Sequence, residues 1–171
     1  SKDLTAFEIQ GTTTLTAQYT AANYTITLDP DNGNVTDASW ALADGKYTKG
    51  YNIESSDKLP KPERTGFAFK GWQVVAKVGN WDISKTYSES DPLNGMYGTV
   101  ELKALWDENA YNVNLDDTMQ NGTVTRDPQA GSYGEPITLT PKPNEGYEYV
   151  VNTIKVTKDT NDEEVEVTAN E

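Results

Sequence analysis

The chain has 171 residues, no cysteine, no histidine and a formal net charge of −13 at pH 7. Without Cys and His it cannot hold a Cys nucleophile, a His-based catalytic triad or the usual His/Cys zinc site. An acidic surface repels phosphate groups, so we expect neither nucleic acid nor an anionic membrane surface as a partner.

The rest of the composition is typical of β-structure. Thr, Asn, Gly and Asp are abundant, and these residue types favour strands and turns. Hydrophobic residues make up only 35% of the chain, but four Trp and ten Tyr side chains are large enough to fill small cores. No apolar run approaches the roughly 18 residues of a membrane span. We therefore expect a mainly β fold (α+β at most) with little helix and no membrane insertion.

The N-terminal residues have the pattern of two short strands, at 4–9 and 13–19. Leu15, Ala17 and Tyr19 alternate with polar residues, which is the period of a half-buried strand.

The pattern at 15–29 recurs at 102–116, at a shift of 87 residues, and such self-similarity predicts a tandem array. We interpret residues 1–23 as the C-terminal strands of a preceding, truncated module, followed by modules at 24–106 and 107–171. The matched pairs are Leu15 with Leu102, Ala17 with Ala104, Tyr19 with Trp106, Tyr24 with Tyr111, Ile26 with Val113, Leu28 with Leu115 and Asp29 with Asp116.

The first module opens with clean alternation over 24–28, which predicts a strand. The pair Asn32-Gly33 is expected to supply the positive-φ positions of a tight turn. Residues 36–44 are the best short helix candidate in the chain, ended by a glycine. A strand is predicted at 47–53.

A second group of strands follows two stiffening prolines. Phe67 and Phe69 are predicted to point to one face of a strand, with Gly71 leaving room beside Trp72. Asn121-Gly122 predicts a hairpin into a strand in the second module. In the first module a long polar stretch over 76–96 follows the strand with Phe67 and Phe69 and precedes a strand predicted at 97–106. In the second module the predicted strands are 111–115, 123–125, 137–140 and 163–169.

Three blocks in order resemble the Listeria–Bacteroides repeat, a module of the internalin B-repeat type. They are Tyr-Thr-Ile-Thr-Leu-Asp with a following Asn-Gly from residue 24, Leu-Pro-x-Pro-x-x-x-Gly-Phe-x-Phe-x-Gly-Trp at 59–72, and Val-x-Leu-x-Ala-x-Trp at 100–106. The stretch 111–169 resembles a divergent repeat of the same type. Gln73 departs from the pattern, because a Tyr commonly follows the Trp, and the loop over 34–46 is longer.

The resemblance implies small β-grasp-like modules in extracellular bacterial surface proteins, arranged in tandem as stalks or adhesive arms. It carries no catalytic residues, and no cofactor or metal is expected. The expected partners are neighbouring repeat modules of the same chain.

Four aromatic residues in or near irregular stretches are candidate ligand contacts: Trp40, Trp81, Tyr87 and Tyr97. Exposed on loops, their rings would stack on sugars or on a host protein. The alternative is that they fill small cores, as short modules require. Trp72 and Trp106 fall on alternating apolar positions and are assigned to the core.

Two further sites are weighed and not favoured. Asp29 to Gly33 has the alternating oxygens of a calcium loop, but an acidic ligand is needed at the twelfth position, where Trp40 stands. A self-made Lys–Asn cross-link needs a buried Lys, whereas alternation predicts that Lys70 and Lys103 point outward.

The function expected from these features is that of a non-catalytic structural or adhesive repeat segment, a stalk of a secreted bacterial cell-surface or cell-wall protein. The alternative is a carbohydrate- or host-protein-binding module that uses the loop aromatics. Carboxylates are numerous, but nothing in their spacing predicts a catalytic pair, so no enzyme is expected.

Overall fold

The computed structural model describes residues 11–12, 14, 16–151, 153–158 and 164–165. The chain divides into two compact units, which are described separately. Unit 1 comprises Ser1–Arg64 and Ala68–Asp107, and unit 2 comprises Thr65–Phe67 and Glu108–Glu171. The expected mainly β fold is confirmed, since the described residues form several sheets and no helix.

The main sheet has six strands in the order β2-β3-β1-β6-β4-β5. Strand β1 lies between an antiparallel neighbour, β3, and a parallel neighbour, β6. In the parallel pair, Ile26 lies opposite Val100 and Leu28 opposite Leu102. The strands are β1 (Tyr24–Asp29), β2 (Ala41–Ala43), β3 (Lys46–Tyr51), β4 (Phe67–Lys77), β5 (Thr86–Tyr87) and β6 (Val100–Glu108).

The core of unit 1 lies on one face of this sheet and is apolar throughout. Alternation in β1 and β6 directs Ile26, Leu28, Val100 and Leu102 into it, each at most 1% exposed. Loop residues cover the strand residues from the other side. The buried set is Ile26, Leu28, Val35, Trp40, Tyr47, Tyr51, Leu59, Trp72, Val74, Trp81, Tyr87, Leu93, Val100, Leu102 and Ala104.

The predicted helix at 36–44 is wrong. Residues 38–40 form a turn in which the Asp37 carboxylate accepts the Ser39 amide at 2.9 Å, and residues 41–43 are strand β2. Asp44 and Gly45 adopt positive φ, which closes a two-residue hairpin between β2 and β3. The Asp-Gly pair is a hairpin pattern that outweighs the weak helix periodicity.

Two glycines serve purposes other than those expected. In the turn after β1 the positive φ angles belong to Asp31 and Asn32. Gly33 has no side chain in the space that the Trp106 ring occupies. At Gly71 the alternation of β4 shifts by one, so that Gly71 and Trp72 are both buried. Gly71 thereby makes room for strand β5 and not for Trp72.

Of the two strands predicted at the N-terminus, 4–9 and 13–19, only part of the second lies within the described residues. Residues 4–9, together with 13 and 15, lie outside the described residues. Residues 16–19 form no strand, and the Tyr19 side chain is 92% exposed. The strand predicted at 13–19 is therefore wrong for its described part.

The described part of unit 2 forms three two-stranded antiparallel sheets, β7 with β9, β8 with β10 and β11 with β12. None of the described residues in the range 108–158 is buried. An open groove runs along apolar side chains that include Val113, Leu115 and Ile137. The strands are β7 (Ala110–Asn112), β8 (Gly122–Asp127), β9 (Ala130–Ser132), β10 (Thr138–Pro143), β11 (Val156–Thr157) and β12 (Glu164–Val165).

The unit 2 predictions are right about several strands and wrong about one hairpin. Asn121 does adopt positive φ, but β8 pairs with β10 and not with the preceding strand β7. The predicted strand at 111–115 ends at Asn112. Of the strand predicted at 163–169, only Glu164–Val165 is described.

Candidate functional site

The four candidate aromatic residues occupy different environments in unit 1. Trp81 is 0% exposed, Trp40 is 4% and Tyr87 is 5%, whereas Tyr97 is 43% exposed. The first three belong to the core, so their ring faces pack on protein atoms and are not free to stack on a sugar. Tyr97 alone keeps an open surface.

Trp81, the most deeply buried of the four, belongs to a row of aromatic rings. Its ring centroid lies 5.0 Å from that of Tyr87 and 6.1 Å from that of Tyr51, which it meets edge-on. Tyr51 lies 6.0 Å from Tyr24, and Tyr24 lies 6.5 Å from Tyr97. The row therefore runs from the core to the surface and ends at Tyr97.

The polar atoms of this aromatic row bond within the protein. Trp81 Nε1 donates to the Tyr51 hydroxyl at 2.7 Å, and that hydroxyl donates to the Gly98 carbonyl. The Tyr87 hydroxyl accepts the Asp82 amide at 2.9 Å. Burial raises the pKa of the Tyr51 hydroxyl, which keeps it a neutral donor. These bonds fix the rings in place and leave the named polar groups engaged internally.

Two charged residues that flank β5, Lys85 and Asp91, pair with each other. Lys85 Nζ lies 2.7 Å from Asp91 Oδ1 and 4.5 Å from the centroid of the Tyr87 ring. The other Asp91 oxygen accepts the Ser88 amide at 2.6 Å. The hydrogen bond with Lys85 lowers the pKa of Asp91 and raises the pKa of Lys85. These contacts hold the loop after β5 against the strand, and they engage both charged groups within the protein.

The Asn80 side chain bonds to the backbone on either side of Met96 and so fixes the chain at Tyr97. The Tyr97 amide donates to Asn80 Oδ1 at 2.9 Å, and Asn80 Nδ2 donates to the Gly95 carbonyl at 2.9 Å. Tyr24, which lies beside it, is half-buried. Sequence reasoning assigned neither Asn80 nor Tyr24 to this place, because the pairing joins residues distant in the chain.

Trp40 is a buried residue that immediately precedes strand β2. Lys49 Nζ lies 5.7 Å from the centroid of its ring, and the same ammonium group contacts Ser39 Oγ and Asp57 Oδ1, each at 3.1 Å. The Trp40 Nε1 atom is buried without a hydrogen-bond partner among the described residues. The ring contributes apolar bulk to the core.

The oxygens of the turn at 29–33 are engaged by protein donors. Asp29 Oδ1 accepts the Asp31 amide at 3.0 Å, and the Asp31 carboxylate pairs with Lys103 at 2.9 Å and with Arg64 at 3.6 Å. Within the described ranges no group of three or more acidic residues could hold a metal ion.

The two lysines considered for a cross-link carry exposed side chains. Lys70 Nζ lies 3.0 Å from Asp107 Oδ1, with side chains 53% and 61% exposed, and Lys103 pairs with Asp31. A spontaneous amide bond of this kind needs a buried lysine, which neither position supplies.

In the part of the chain that the structure describes, no helix is long and apolar enough to cross a membrane.

Comparison of the chain with protein-family models, with curated proteins and with solved structures finds no match. The resemblance to the internalin B-repeat type of module therefore stands on the three sequence blocks alone and stays a prediction.

Proposed function

We propose that the chain is a non-catalytic structural and adhesive repeat segment, a stalk of a secreted bacterial cell-surface protein. The observation that carries this proposal is that two similar sequence segments lie in different compact units, and each of them contributes a strand to its unit. Tyr24 begins strand β1 of unit 1, and Tyr111, its match at a shift of 87 residues, lies in strand β7 near the start of the larger part of unit 2. Tandem units of this kind suit a spacer.

The sheet of unit 1 supports the proposal further. Its first and last strands, β1 and β6, are a central parallel pair, and each has another strand on its outer side. This is the arrangement that a β-grasp-like fold has, which is the fold that the sequence resemblance implies. The apolar core, with no buried polar or charged side chain among the described residues, favours a load-bearing role over chemistry.

The stalk proposal is tested by the motion of the two units. The joint between Trp106 and Tyr111 has four residues, too few for free swivelling. We expect amide relaxation by nuclear magnetic resonance to give both units one rotational correlation time. Separate times in the unmodified chain would contradict the stalk.

A binding function would use the exposed end of the aromatic row. Tyr97 is the one candidate aromatic residue with an open surface, and Tyr24 lies 6.5 Å away between ring centroids. A glycan array compares the chain with its Tyr97→Ala variant. Binding that the substitution abolishes supports this second function, and an array without any bound glycan removes it.

A further inference from the structure

Three Asn-Gly pairs occur in the chain, at 32–33, 94–95 and 121–122. The asparagine of each pair is exposed. Glycine has no side chain to hinder its own amide nitrogen, so in an Asn-Gly pair that nitrogen can attack the side-chain carbon of the asparagine. The three pairs share this chemistry, and the hydrogen bonds around each glycine decide how readily it proceeds.

Two of the three glycine amides donate hydrogen bonds in unit 1. Gly33 N donates to the Pro30 carbonyl at 2.9 Å, and Gly95 N donates to the Ile53 carbonyl at 2.8 Å. The Gly95 carbonyl also accepts Asn80 Nδ2 at 2.9 Å. A hydrogen bond that the N–H donates favours the protonated amide and resists the backbone rotation that attack requires. These bonds therefore protect the first two pairs.

The register of β8 and β10 leaves the third glycine amide without a bond to the neighbouring strand. Gly122 lies opposite Pro143, and the Asn144 amide donates to the Asn121 carbonyl at 3.0 Å. In an antiparallel ladder this bond flanks a non-hydrogen-bonded pair, so the Gly122 N–H points away from β10. Pro141 and Pro143, which have no N–H, both occupy this phase of β10. In the described part of the chain, β10 is the only strand beside β8.

We propose that Asn121-Gly122 is a site of spontaneous deamidation, at which the folded chain converts its own asparagine to aspartate and isoaspartate. The Gly122 amide gives its proton to a base from the solvent, and its nitrogen forms a bond to Asn121 Cγ. The bond from Cγ to the side-chain nitrogen breaks, and ammonia leaves. Water then opens the cyclic imide at either carbonyl. One water is consumed and one ammonia is released, so the reaction needs no oxidant, reductant or co-reactant.

The cost of local opening also favours this pair. Asn121 precedes the first residue of β8, and no described residue in the range 108–158 is buried. In unit 1, by contrast, Asn94 follows Leu93, which is 1% exposed, and Gly33 lies against the Trp106 ring. Segments with few buried contacts open at a lower free energy than segments that hold a core.

The products alter the end of the β8–β10 pair. Isoaspartate places one extra methylene in the backbone before Gly122 and turns the carbonyl that accepts the Asn144 amide into a free carboxylate. Both products also add a negative charge to a chain whose net charge is already −13. The site is therefore an irreversible mark of the age of unit 2, and it does not rest on the stalk function.

The test measures deamidation of all three pairs in the 171-residue chain in mildly alkaline buffer. Trypsin places the pairs in separate peptides, 3–46, 86–103 and 104–126. Mass spectrometry follows the mass gain of NH₂ replaced by OH, and a zero-time sample corrects for reaction during digestion. Each rate is divided by the rate of the same pair in guanidinium chloride, where the protecting bonds are lost.

We expect Asn121 to react in the folded chain at nearly its denatured rate. Asn32 and Asn94 should be slowed by about tenfold or more, the factor that about one net hydrogen bond contributes to a barrier. Asn121→Gln is the matched control, because glutamine keeps the amide but must close a larger ring. It should remove the mass gain at position 121, together with the label that an isoaspartyl methyltransferase adds to the aged parent peptide.

Two results overturn the proposal. In the first, Asn121 keeps its amide in the folded chain while it reacts in denaturant, which would show that unit 2 holds the Gly122 amide in place. In the second, Asn32 or Asn94 reacts in the folded chain as fast as Asn121. Neither result depends on how the two units move, so this proposal and the stalk proposal fail independently.

Discussion

At the residue scale, Gly33 shows how an aromatic side chain can determine a turn residue. An ideal Cβ at Gly33 would lie 2.6 Å from Cζ2 of Trp106 and 3.0 Å from the Pro30 carbonyl oxygen. Trp106 Nε1 donates to that same carbonyl at 3.1 Å. The last strand of unit 1 is therefore tied to the turn after its first strand through one ring.

Gly33→Ala should destabilise unit 1 by about 2 kcal/mol, because the added methyl group overlaps the Trp106 ring and two backbone oxygens. Gly50→Ala is the matched control, since a Cβ there meets nothing within 4 Å. The measurement is the free energy of unfolding from denaturant titration followed by Trp fluorescence. Equal values for the two variants would contradict the close approach at Gly33.

Asp91 gives unit 1 a pH-dependent stability term. The hydrogen bond with Lys85 lowers the pKa of the Asp91 carboxyl below its ordinary value of 3.8. The stabilisation is therefore complete above the unfolded-state pKa and is lost as pH falls through the lower folded-state pKa. Because Lys85 is 46% exposed, Asp91→Asn should cost only about 0.5–1 kcal/mol at neutral pH.

The measurement compares the unfolding free energies of the parent and the Asp91→Asn variant from neutral pH downward. The difference between them should shrink once the pH falls below the unfolded-state pKa. Glu89→Gln, at an exposed position nearby, is the control and should give a small difference at every pH. A difference for Asp91→Asn that grows on acidification would contradict the assignment.

At the scale of elements, the alternation of buried and exposed residues in strand β4 shifts by one position at a single residue. Before the change Phe67 and Phe69 are half-buried, and after it Trp72 and Val74 are buried. Gly71 stands at the change with φ 141°, where an added Cβ would lie 2.4 Å from Thr86 Cγ2 and 2.9 Å from the Tyr87 carbonyl oxygen. The absence of a side chain at Gly71 therefore lets the edge strand β5 approach.

Gly71→Ala should separate β5 from β4 and cost unit 1 about 2–3 kcal/mol, since both the backbone conformation and the close contact exclude a side chain. The expected local effect is faster amide exchange at Tyr87, which pairs with Trp72 in the register of the two strands. Unchanged exchange at Tyr87 would show that β5 does not depend on Gly71. Gly50→Ala again serves as the control.

At the scale of the whole molecule, the buried side chains are unevenly distributed. All fifteen of the described buried core residues belong to unit 1, whereas no described residue in the range 108–158 is buried. Burial of apolar surface is the dominant favourable term in folding, so the two units differ in the interactions that protect their backbone.

Hydrogen exchange should follow this distribution. We expect the slowest amides in β1 and β6, which are paired on both sides in the middle of the six-stranded sheet, and faster exchange throughout the described strands of unit 2. Mass spectrometry of exchanged peptides gives the rates of both units in one sample. Amides in β8 or β10 that are as slow as those in β1 would contradict the prediction.

Much of the strand content could be predicted from the sequence. Alternation predicted β1, the buried residues of β6 and the inward positions of Phe67 and Phe69, because strand periodicity is written directly in neighbouring residues. The helix predicted at 36–44 was wrong because a local pattern gave way to hairpin pairing with β3. The purposes of Gly33 and Gly71 could not be predicted, since both depend on residues far away in the chain.

For the candidate site, too, local sequence patterns predicted one part and long-range contacts determined the other. The sequence by itself identified the aromatic residues in loops and the mainly β class, because residue type and period are local properties. The folded structure was needed to show that Trp40, Trp81 and Tyr87 are core residues and that Tyr97 is not. Burial depends on which distant segments cover a ring, and the loops that cover these rings meet them through long-range pairing of strands.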